Sequence, residues 1–383
     1  MLFSVMGGSS VIIHIPNYKS GYRIVSLAKD EKTRDVLIEE NLSCIFVKEN
    51  TATFYPELIA ILLDEETAAK LSSCCNFDVF EINGNGGAYL YYNSASKDNA
   101  IIITNKCNSN CIMCPSSETS RKTGTTGEIE NLLALVKHFP VTAIHLTITG
   151  GEPFLIGEDI FVLFRAIREK FYRTEFLLLT NGRAFAIKYF SELLAESLPK
   201  QTIIAIPIHG YDPESHDSVT MSPGSFVQTI AGIKNVLSQG LKLEIRIVVS
   251  QMTSEWLTKI ASYLLNALSP TYCVKIIGLE MLGSASVNRE KVWIPYRTAF
   301  TKAEEAIKQF TSQGIDVSLY NFPLCAVNQA YWHICEKSIT DYKVRFAESC
   351  GNCTVRDACG GIFAGTYRMA KDDVTPIVGD VLC

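Results

Sequence analysis

The sequence predicts an α/β fold in which six strand–helix units form a curved or open parallel sheet, between an N-terminal α+β domain and a cysteine-rich C-terminal domain. After residue 100, short and nearly continuous apolar runs alternate with amphipathic helical segments, as expected for strands that are buried on both faces. Before residue 96 the apolar segments are shorter and alternate with polar residues. Six of the thirteen cysteines lie after residue 320, which indicates a separate C-terminal function.

We expect three domains, because a chain of 383 residues is longer than one compact core usually occupies. Residues 1–96 predict a small α+β domain with strands near 11–15, 44–47 and 88–92 and one helix over 56–71. Residues 97–290 predict the parallel sheet, and residues 291–383 predict a helix over 296–313, an apolar run over 315–320 and the cysteine-rich tail.

Six apolar runs predict the parallel strands, and they cover residues 100–104, 143–149, 175–179, 203–208, 243–249 and 274–279. The segments between them place apolar residues three and four positions apart, as in Phe226, Ile230 and Ile233. In sheets of this kind, ligands bind at the carboxyl ends of the strands. The sequence therefore predicts that the chemistry takes place there.

The charge and the apolar runs of the sequence disfavour several classes of protein. The formal net charge of -5 provides no general attraction to phosphate backbones, so a nucleic-acid substrate is disfavoured. The first residues lack the basic start and long apolar run of a secretory signal, and no apolar run approaches the ~20 residues that span a bilayer. We therefore expect a cytoplasmic protein without a membrane segment, whose clustered cysteines serve metals or catalysis.

The first cysteine group is Cys107-x3-Cys111-x2-Cys114, in a loop that follows the first predicted parallel strand. Thiolates at this spacing can face one centre, and thiolates are the ligands of iron–sulfur clusters. Three ligands on a four-iron cluster leave one iron open for a cofactor with amino and carboxylate groups. A structural zinc site or unrelated core cysteines are the alternatives, although no fourth ligand is close in sequence.

A second motif stands at the end of the second predicted strand and consists of Gly150, Gly151, Glu152 and Pro153. Two glycines let the backbone approach a ligand closely, and Glu152 offers an anion for an ammonium group. In this order, the two motifs resemble those of the radical S-adenosylmethionine (SAM) superfamily. The resemblance implies a partial (β/α)6 TIM-like barrel, SAM as cofactor, and a [4Fe–4S] cluster on the catalytic cysteines Cys107, Cys111 and Cys114.

Four further positions are implied as cofactor-binding residues by the same resemblance. Asn181, before Gly182, ends the third strand, and Ile277 lies in the sixth. His209 follows the fourth strand, where many relatives have an acidic residue, and a structural histidine is an alternative. Arg246 interrupts the apolar fifth strand; it would meet the cofactor carboxylate, or it forms a salt bridge or faces solvent.

The tail contains a second cysteine group, formed by Cys325 and by Cys350-x2-Cys353-x5-Cys359. This pattern resembles the auxiliary-cluster domains of the SPASM or Twitch kind. A fuller pattern would have a cysteine at Phe363, so the resemblance implies one auxiliary [4Fe–4S] cluster. A zinc ribbon is the alternative. Cys335 and Cys383 are spare candidate ligands, while Cys44, Cys74, Cys75 and Cys273 are interpreted as buried small residues.

The segments TNKCNSNCIMCP, NFPLC and KSITDYK, followed by Cys-x2-Cys-x5-Cys-Gly-Gly-x-Phe, resemble the His-Xaa-Ser system radical SAM maturases of the HxsC type. The likeness covers roughly residues 100–365. It implies a ribosomally made peptide or protein substrate, a second radical SAM maturase of the same system, and an electron donor such as flavodoxin or ferredoxin. A radical SAM enzyme acting on RNA or a small metabolite, and a non-catalytic zinc-binding protein, are the alternatives.

Overall fold

A computed structural model describes residues 12–379 of the chain. It contains two large β-sheets of seven and eight strands and a two-stranded ribbon. No helix within residues 12–379 combines the length and the apolar character that crossing a membrane requires.

The N-terminal domain is a mixed sheet in the order β1-β7-β6-β2-β3-β4-β5. Its strands are β1 (Ile12–His14), β2 (Arg23–Ala28), β3 (Cys44–Lys48), β4 (Thr51–Tyr55), β5 (Ile59–Leu62), β6 (Val79–Ile82) and β7 (Gly87–Tyr92), and its helices are α1 (Glu31–Glu39) and α2 (Glu65–Ser73). Only β2 and β3 pair in parallel, across α1. The α+β prediction is confirmed for this part of the chain.

The single helix predicted over residues 56–71 is wrong in its first half. Residues Ile59–Leu62 pair antiparallel with Thr51–Phe54 and form β5. The helix begins only at Glu65, because the Asp64 side chain accepts the backbone N–H of Thr67 and so caps it. The backbone groups of the apolar residues before this cap form hydrogen bonds with the neighbouring strand β4.

The second sheet is entirely parallel and has the order β15-β14-β13-β12-β11-β10-β9-β8. Its strands are β8 (Asn99–Ile102), β9 (His145–Thr149), β10 (Glu175–Leu179), β11 (Thr202–Pro207), β12 (Leu243–Val249), β13 (Tyr272–Gly278), β14 (Val317–Tyr320) and β15 (Cys335–Glu336). Since β8 and β15 are the two edges, this curled sheet is an open barrel.

Eight strands form this sheet rather than the predicted six. The apolar run at 315–320 becomes β14 and pairs in parallel with β13 across the long helix α12, and β15 extends the edge. The domain boundary predicted at residue 290 therefore lies between two adjacent strands of one sheet.

Helices connect most of the strands of the barrel, and shorter helices lie in its loops and in the tail. They are α3 (Glu118–Thr123), α4 (Ile129–His138), α5 (Asp159–Lys170), α6 (Lys188–Ser197), α7 (Pro213–Thr220), α8 (Ser225–Ser238), α9 (Leu257–Ala267), α10 (Gly283–Val287), α11 (Arg289–Val292), α12 (Tyr296–Ser312) and α13 (Tyr367–Ala370), and the ribbon is β16 (Val344–Arg345) with β17 (Ile362–Phe363). Along β12 the alternate residues Leu243, Ile245 and Ile247 belong to the main core. Glu244 and Arg246 therefore point to the concave face.

The N-terminal domain packs on α4 of the barrel. The Ser26 hydroxyl lies 2.9 Å from Nδ1 of His138, and Lys137 Nζ donates to the Asn41 carbonyl at 3.0 Å. Burial, with the nearby charges of Lys170 and Lys137, lowers the pKa of His138 to about 4. The histidine is therefore neutral in the folded protein at pH 7.

This contact predicts acid destabilisation between pH 6.5 and 4. The unfolded chain takes up a proton at His138 near its ordinary pKa, whereas the folded chain takes it up only near 4, so stability falls as the pH drops. The free energy of unfolding, measured with denaturant, should fall between pH 8 and pH 5 in the unaltered protein. In His138→Gln this fall should be smaller by about 2 kcal/mol. An identical pH dependence in both proteins would contradict this account.

Candidate functional site

The loop that carries the first cysteine group follows β8 at the carboxyl end of the barrel, as predicted. Cys107, Cys111 and Cys114 are free, partly exposed thiols. Burial raises the pKa of Cys107 to about 11 and that of Cys111 to about 12, and the charge of Cys114 contributes to both increases. The three thiols lie in one loop, Cys107-x3-Cys111-x2-Cys114, and thiolates are the ligands of iron–sulfur clusters.

Gly150 and Gly151 lie directly against the backbone of the cysteine loop. Gly151 N donates to the Thr104 carbonyl at 2.7 Å, and Glu152 N donates to the Lys106 carbonyl at 2.8 Å. An added Cβ would stand 2.3 Å from the Thr104 oxygen at Gly150 and 2.1 Å from the Lys106 oxygen at Gly151. Because they lack a side chain, these glycines let the turn lie close to the loop that carries the three cysteines.

Glu152 joins the ends of β9 and β10. Its carboxylate is only 2% exposed and accepts hydrogen bonds from Thr180 Oγ1 at 2.8 Å, Asn181 N at 2.7 Å and Phe154 N at 3.1 Å. Burial raises the pKa of Glu152, and these three bonds oppose the rise. Pro153 is also buried, at the start of a short 3-10 helix. The ammonium contact of Glu152 stays a prediction.

Asn181 and Arg183, after the end of β10, form hydrogen bonds with the cysteine loop. Asn181 Nδ2 donates to Asn108 Oδ1 at 2.7 Å. Arg183 Nη1 donates to the Asn108 carbonyl at 2.7 Å and to Ser109 Oγ at 3.0 Å. Sequence reasoning found Asn181 but missed Arg183, whose only signal was its position directly after Gly182.

His209 lies at the end of β11 and is 5% exposed. Its backbone N–H donates to Nδ1 of His216 at 3.2 Å, while its own buried Nδ1 has no hydrogen-bond partner among residues 12–379. Burial lowers the pKa of His209 to about 3, so the ring is neutral. A buried nitrogen without a partner indicates a polar group that the protein itself does not supply.

Arg246 and Ile277 stand on neighbouring strands on the concave face, with partly exposed side chains. Arg246 Nε forms an ion pair with Glu244 Oε1 at 2.6 Å, so the salt-bridged alternative is present. Lys275 is the register partner of Arg246 and donates to Ser318 Oγ at 2.9 Å. The contacts predicted from Arg246 and Ile277 to a cofactor stay predictions.

The tail brings the second cysteine group together. Cys325, Cys350, Cys353 and Cys359 line one apolar cavity, which also contacts Phe346. Backbone N–H groups point at two of the sulfurs: Leu324 N and Gly361 N donate to Cys359 Sγ, and Ile377 N donates to Cys353 Sγ, each at 3.4 Å. Hydrogen bonds to sulfur are a feature that tunes iron–sulfur clusters.

Among residues 12–379, the other cysteines do not line this cavity. Cys335 Sγ donates to the Tyr331 carbonyl at 3.6 Å, and Cys383 lies outside the described residues. Cys44 and Cys74 are buried as predicted, whereas Cys75 and Cys273 are partly exposed, which corrects their interpretation as core residues. Within residues 12–379, no three His, Cys, Asp or Glu side chains converge closely enough to hold a single metal ion; the support for a cluster is the shared cavity and the sulfur-directed N–H groups.

Arg121 of α3 is a further residue that sequence reasoning missed. Its side chain is 3% exposed, lies under the cysteine loop, and has a buried Nε without a hydrogen-bond partner among the described residues. A buried cation of this kind favours an anionic group beside it. The site therefore fits a thiolate-bound cluster.

Comparison with known proteins finds that part of the chain is similar to one superfamily. Residues 101–263 match the sequence profile of the radical SAM superfamily. The chain is 29% identical over 162 residues to an AdoMet-dependent heme synthase of Methanosarcina barkeri, covering 41% of this chain and 44% of that protein. It is 25% identical over 150 residues to the enzyme of the same name from Nitratidesulfovibrio vulgaris, covering 39% of each. The chain thus spans less than half the length of these relatives.

Among solved structures, the Streptococcus suis protein SuiB bound to the precursor peptide SuiA is similar, with a TM-score of 0.48 and 15% identity. The match covers 60% of this chain and 49% of SuiB.

Proposed function

Because this chain carries a domain of the radical SAM superfamily over residues 101–263, we propose that it is an enzyme that cleaves SAM reductively and modifies a ribosomally made peptide or protein. The observation that carries the proposal is that a loop with three free thiols lies directly against the Gly150–Gly151 turn. The superfamily uses a [4Fe–4S] cluster and SAM, and Cys107, Cys111 and Cys114 are the residues that would hold the cluster.

When bound, the cluster and SAM would supply the chemistry of reductive cleavage and hydrogen abstraction. The protein's task is to hold these groups and to exclude water and thiols that would quench the radical. Neutral His209, with its free Nδ1, is suited to a hydrogen bond with the cofactor. Asn181, Arg246 and Ile277, with the Gly150–Pro153 turn, complete the proposed SAM contacts.

For the C-terminal cavity we propose one auxiliary [4Fe–4S] cluster on Cys325, Cys350, Cys353 and Cys359. Four thiols line one cavity and would provide one ligand for each iron of a [4Fe–4S] cluster. No iron of this cluster would then be left for another ligand. Such a cluster could accept an electron from the substrate radical or bind the substrate. Zinc held by the same four thiolates is the competing assignment.

Replacing Cys350 and Cys353 with alanine should remove about four irons per chain, because a four-iron cluster loses two of its ligands. Cleavage of SAM should persist, since the other cluster is separate. Iron and zinc analysis after anaerobic purification measures this, with Cys74→Ala as a control for loss of a buried thiol. Loss of zinc at constant iron would establish the zinc assignment instead.

The peptide substrate is proposed from the HxsC-like segments around Cys107 and Cys350, and it would carry His-Xaa-Ser repeats. The enzyme would act in the cytoplasm, with a second maturase of that system and a flavodoxin or ferredoxin as electron donor. Anaerobic incubation with peptides encoded beside the gene, followed by mass spectrometry, tests this. We expect 5′-deoxyadenosine and a peptide mass change that depend on each other; formation of 5′-deoxyadenosine without any peptide change would contradict the substrate assignment.

A second candidate is haem synthesis, favoured by the names of the two relatives that match at 29% and 25% identity. An assay that follows haem by its absorption distinguishes it. Haem formation that requires Cys107, with no change in any peptide, would decide for this candidate.

A further inference from the structure

Arg121 is a buried cation whose hydrogen bonds all go to neutral groups. Its Nη1 donates to the Ser116 carbonyl, and its Nη2 donates to Asn110 Oδ1 at 2.5 Å and to Ser284 Oγ at 3.0 Å. The side chain is 3% exposed, and Nε has no hydrogen-bond partner within residues 12–379. Arg121 belongs to none of the ion pairs formed among those residues.

Such an arrangement is unfavourable by itself. A charged group taken out of water loses its hydration, and neutral hydrogen bonds do not replace an opposite charge. Two carboxylates of this region have other hydrogen-bonded partners: Glu118, whose pKa the charge of Arg121 helps to lower, pairs with Lys122, and Glu152 accepts hydrogen bonds from Phe154, Thr180 and Asn181. Within residues 12–379 neither carboxylate forms an ion pair with Arg121, which leaves room for another anionic group beside it.

The cysteine loop is the anionic candidate. The loop wraps around Arg121, since Cys107 N donates to the Arg121 carbonyl at 3.1 Å and the guanidinium bonds to Ser116 and Asn110 lie on either side of Cys111 and Cys114. Two arginines bond to the cysteine loop, Arg121 and Arg183, and Arg183 is bound to Asn108 and Ser109. Lys106, the residue before Cys107, is exposed. Arg121 is the buried one.

We propose that Arg121 is the charge-compensating residue of the cluster held by Cys107, Cys111 and Cys114, and that it raises the reduction potential of that cluster. The inference rests on the proposed function, because it needs the cluster to be present. Reduction adds one electron, supplied by dithionite, and so adds negative charge next to a fixed cation. The cation stabilises the reduced form more than the oxidised form, which makes reduction easier.

The competing explanation is that Arg121 only holds the loop in place through its hydrogen bonds. Three variants separate the two. Arg121→Gln removes the charge and keeps side-chain donors, Arg121→Lys keeps the charge with fewer donors, and Lys122→Gln removes a neighbouring charge that is exposed and paired with Glu118. The last variant is the matched control for a general change in net charge.

The measurement is a potentiometric titration of the anaerobically reconstituted protein, followed by electron paramagnetic resonance. The cluster in question is identified as the one whose signal changes when SAM is added. We expect the midpoint potential to shift to more negative values in Arg121→Gln, to stay near that of the unaltered protein in Arg121→Lys, and not to move in Lys122→Gln.

An unchanged potential in iron-loaded Arg121→Gln would overturn the proposal. Loss of the cluster in both Arg121→Gln and Arg121→Lys would also overturn the proposal. The cluster would then depend on the shape and hydrogen bonds of arginine and not on its charge. Loss of the cluster in Arg121→Gln alone, with loading retained in Arg121→Lys, supports it. If the unaltered protein holds no cluster that responds to SAM, the proposed function itself fails, which is a separate result.

Discussion

Alanine at Cys107, Cys111 and Cys114 is expected to abolish SAM cleavage and to lower the iron content by about four per chain. Each thiol is a proposed ligand. Glu152, the carboxylate of the turn that contacts the cysteine loop, is buried and bonded to Phe154, Thr180 and Asn181, so we do not expect it to replace a lost thiol. Without its ligands the cluster is lost, and with it the position at which SAM would bind.

The measurement is 5′-deoxyadenosine formation under dithionite, together with iron and sulfide analysis. Cys75→Ala serves as the control, because Cys75 is a partly exposed free thiol of the N-terminal domain. Cleavage that survived in the triple variant would show that another group of residues binds the catalytic cluster.

Gly151→Ala is expected to damage the same site without removing any ligand. The new methyl carbon would lie 2.1 Å from the Lys106 oxygen and 2.5 Å from its carbonyl carbon, so the backbone next to Cys107 has to move. Overpacking of this kind lowers the free energy of unfolding by about 1–3 kcal/mol, and we expect SAM cleavage to fall at least tenfold.

Gly84→Ala is the matched control, since a Cβ at that position in the N-terminal domain meets no atom within 4 Å. Denaturant unfolding and the cleavage rate are measured for both variants. Equal behaviour of the two would mean that the turn does not depend on the close contact with the cysteine loop.

The sequence predicted the main elements of the barrel because buried parallel strands leave a strong local pattern. The runs at 175–179 and 243–249 became β10 and β12 with identical bounds. The sequence did not predict that β14 and β15 belong to this sheet. Strands β13 and β14 are separated in the chain by α12, so their pairing leaves no local pattern in the sequence. The strand β5 was missed because its apolar residues also fit a helical pattern.

The cysteine and Gly-Gly-Glu-Pro motifs were predictable because their spacing is local. Arg121 and Arg183 were not, because a lone arginine forms no pattern and its burial is decided by the loop that folds over it. The hydrogen bonds of Glu152 with Phe154, Thr180 and Asn181 were likewise not predictable from the sequence, while its contact with a ligand stays a prediction.

The most direct test is whether an iron on the cluster of Cys107, Cys111 and Cys114 is open to SAM. Electron paramagnetic resonance of the dithionite-reduced protein, recorded before and after addition of SAM, measures this. We predict a changed spectrum for one cluster in the unaltered protein and no change in the alanine variant of these three cysteines. An iron-loaded protein whose spectrum is indifferent to SAM would contradict the account.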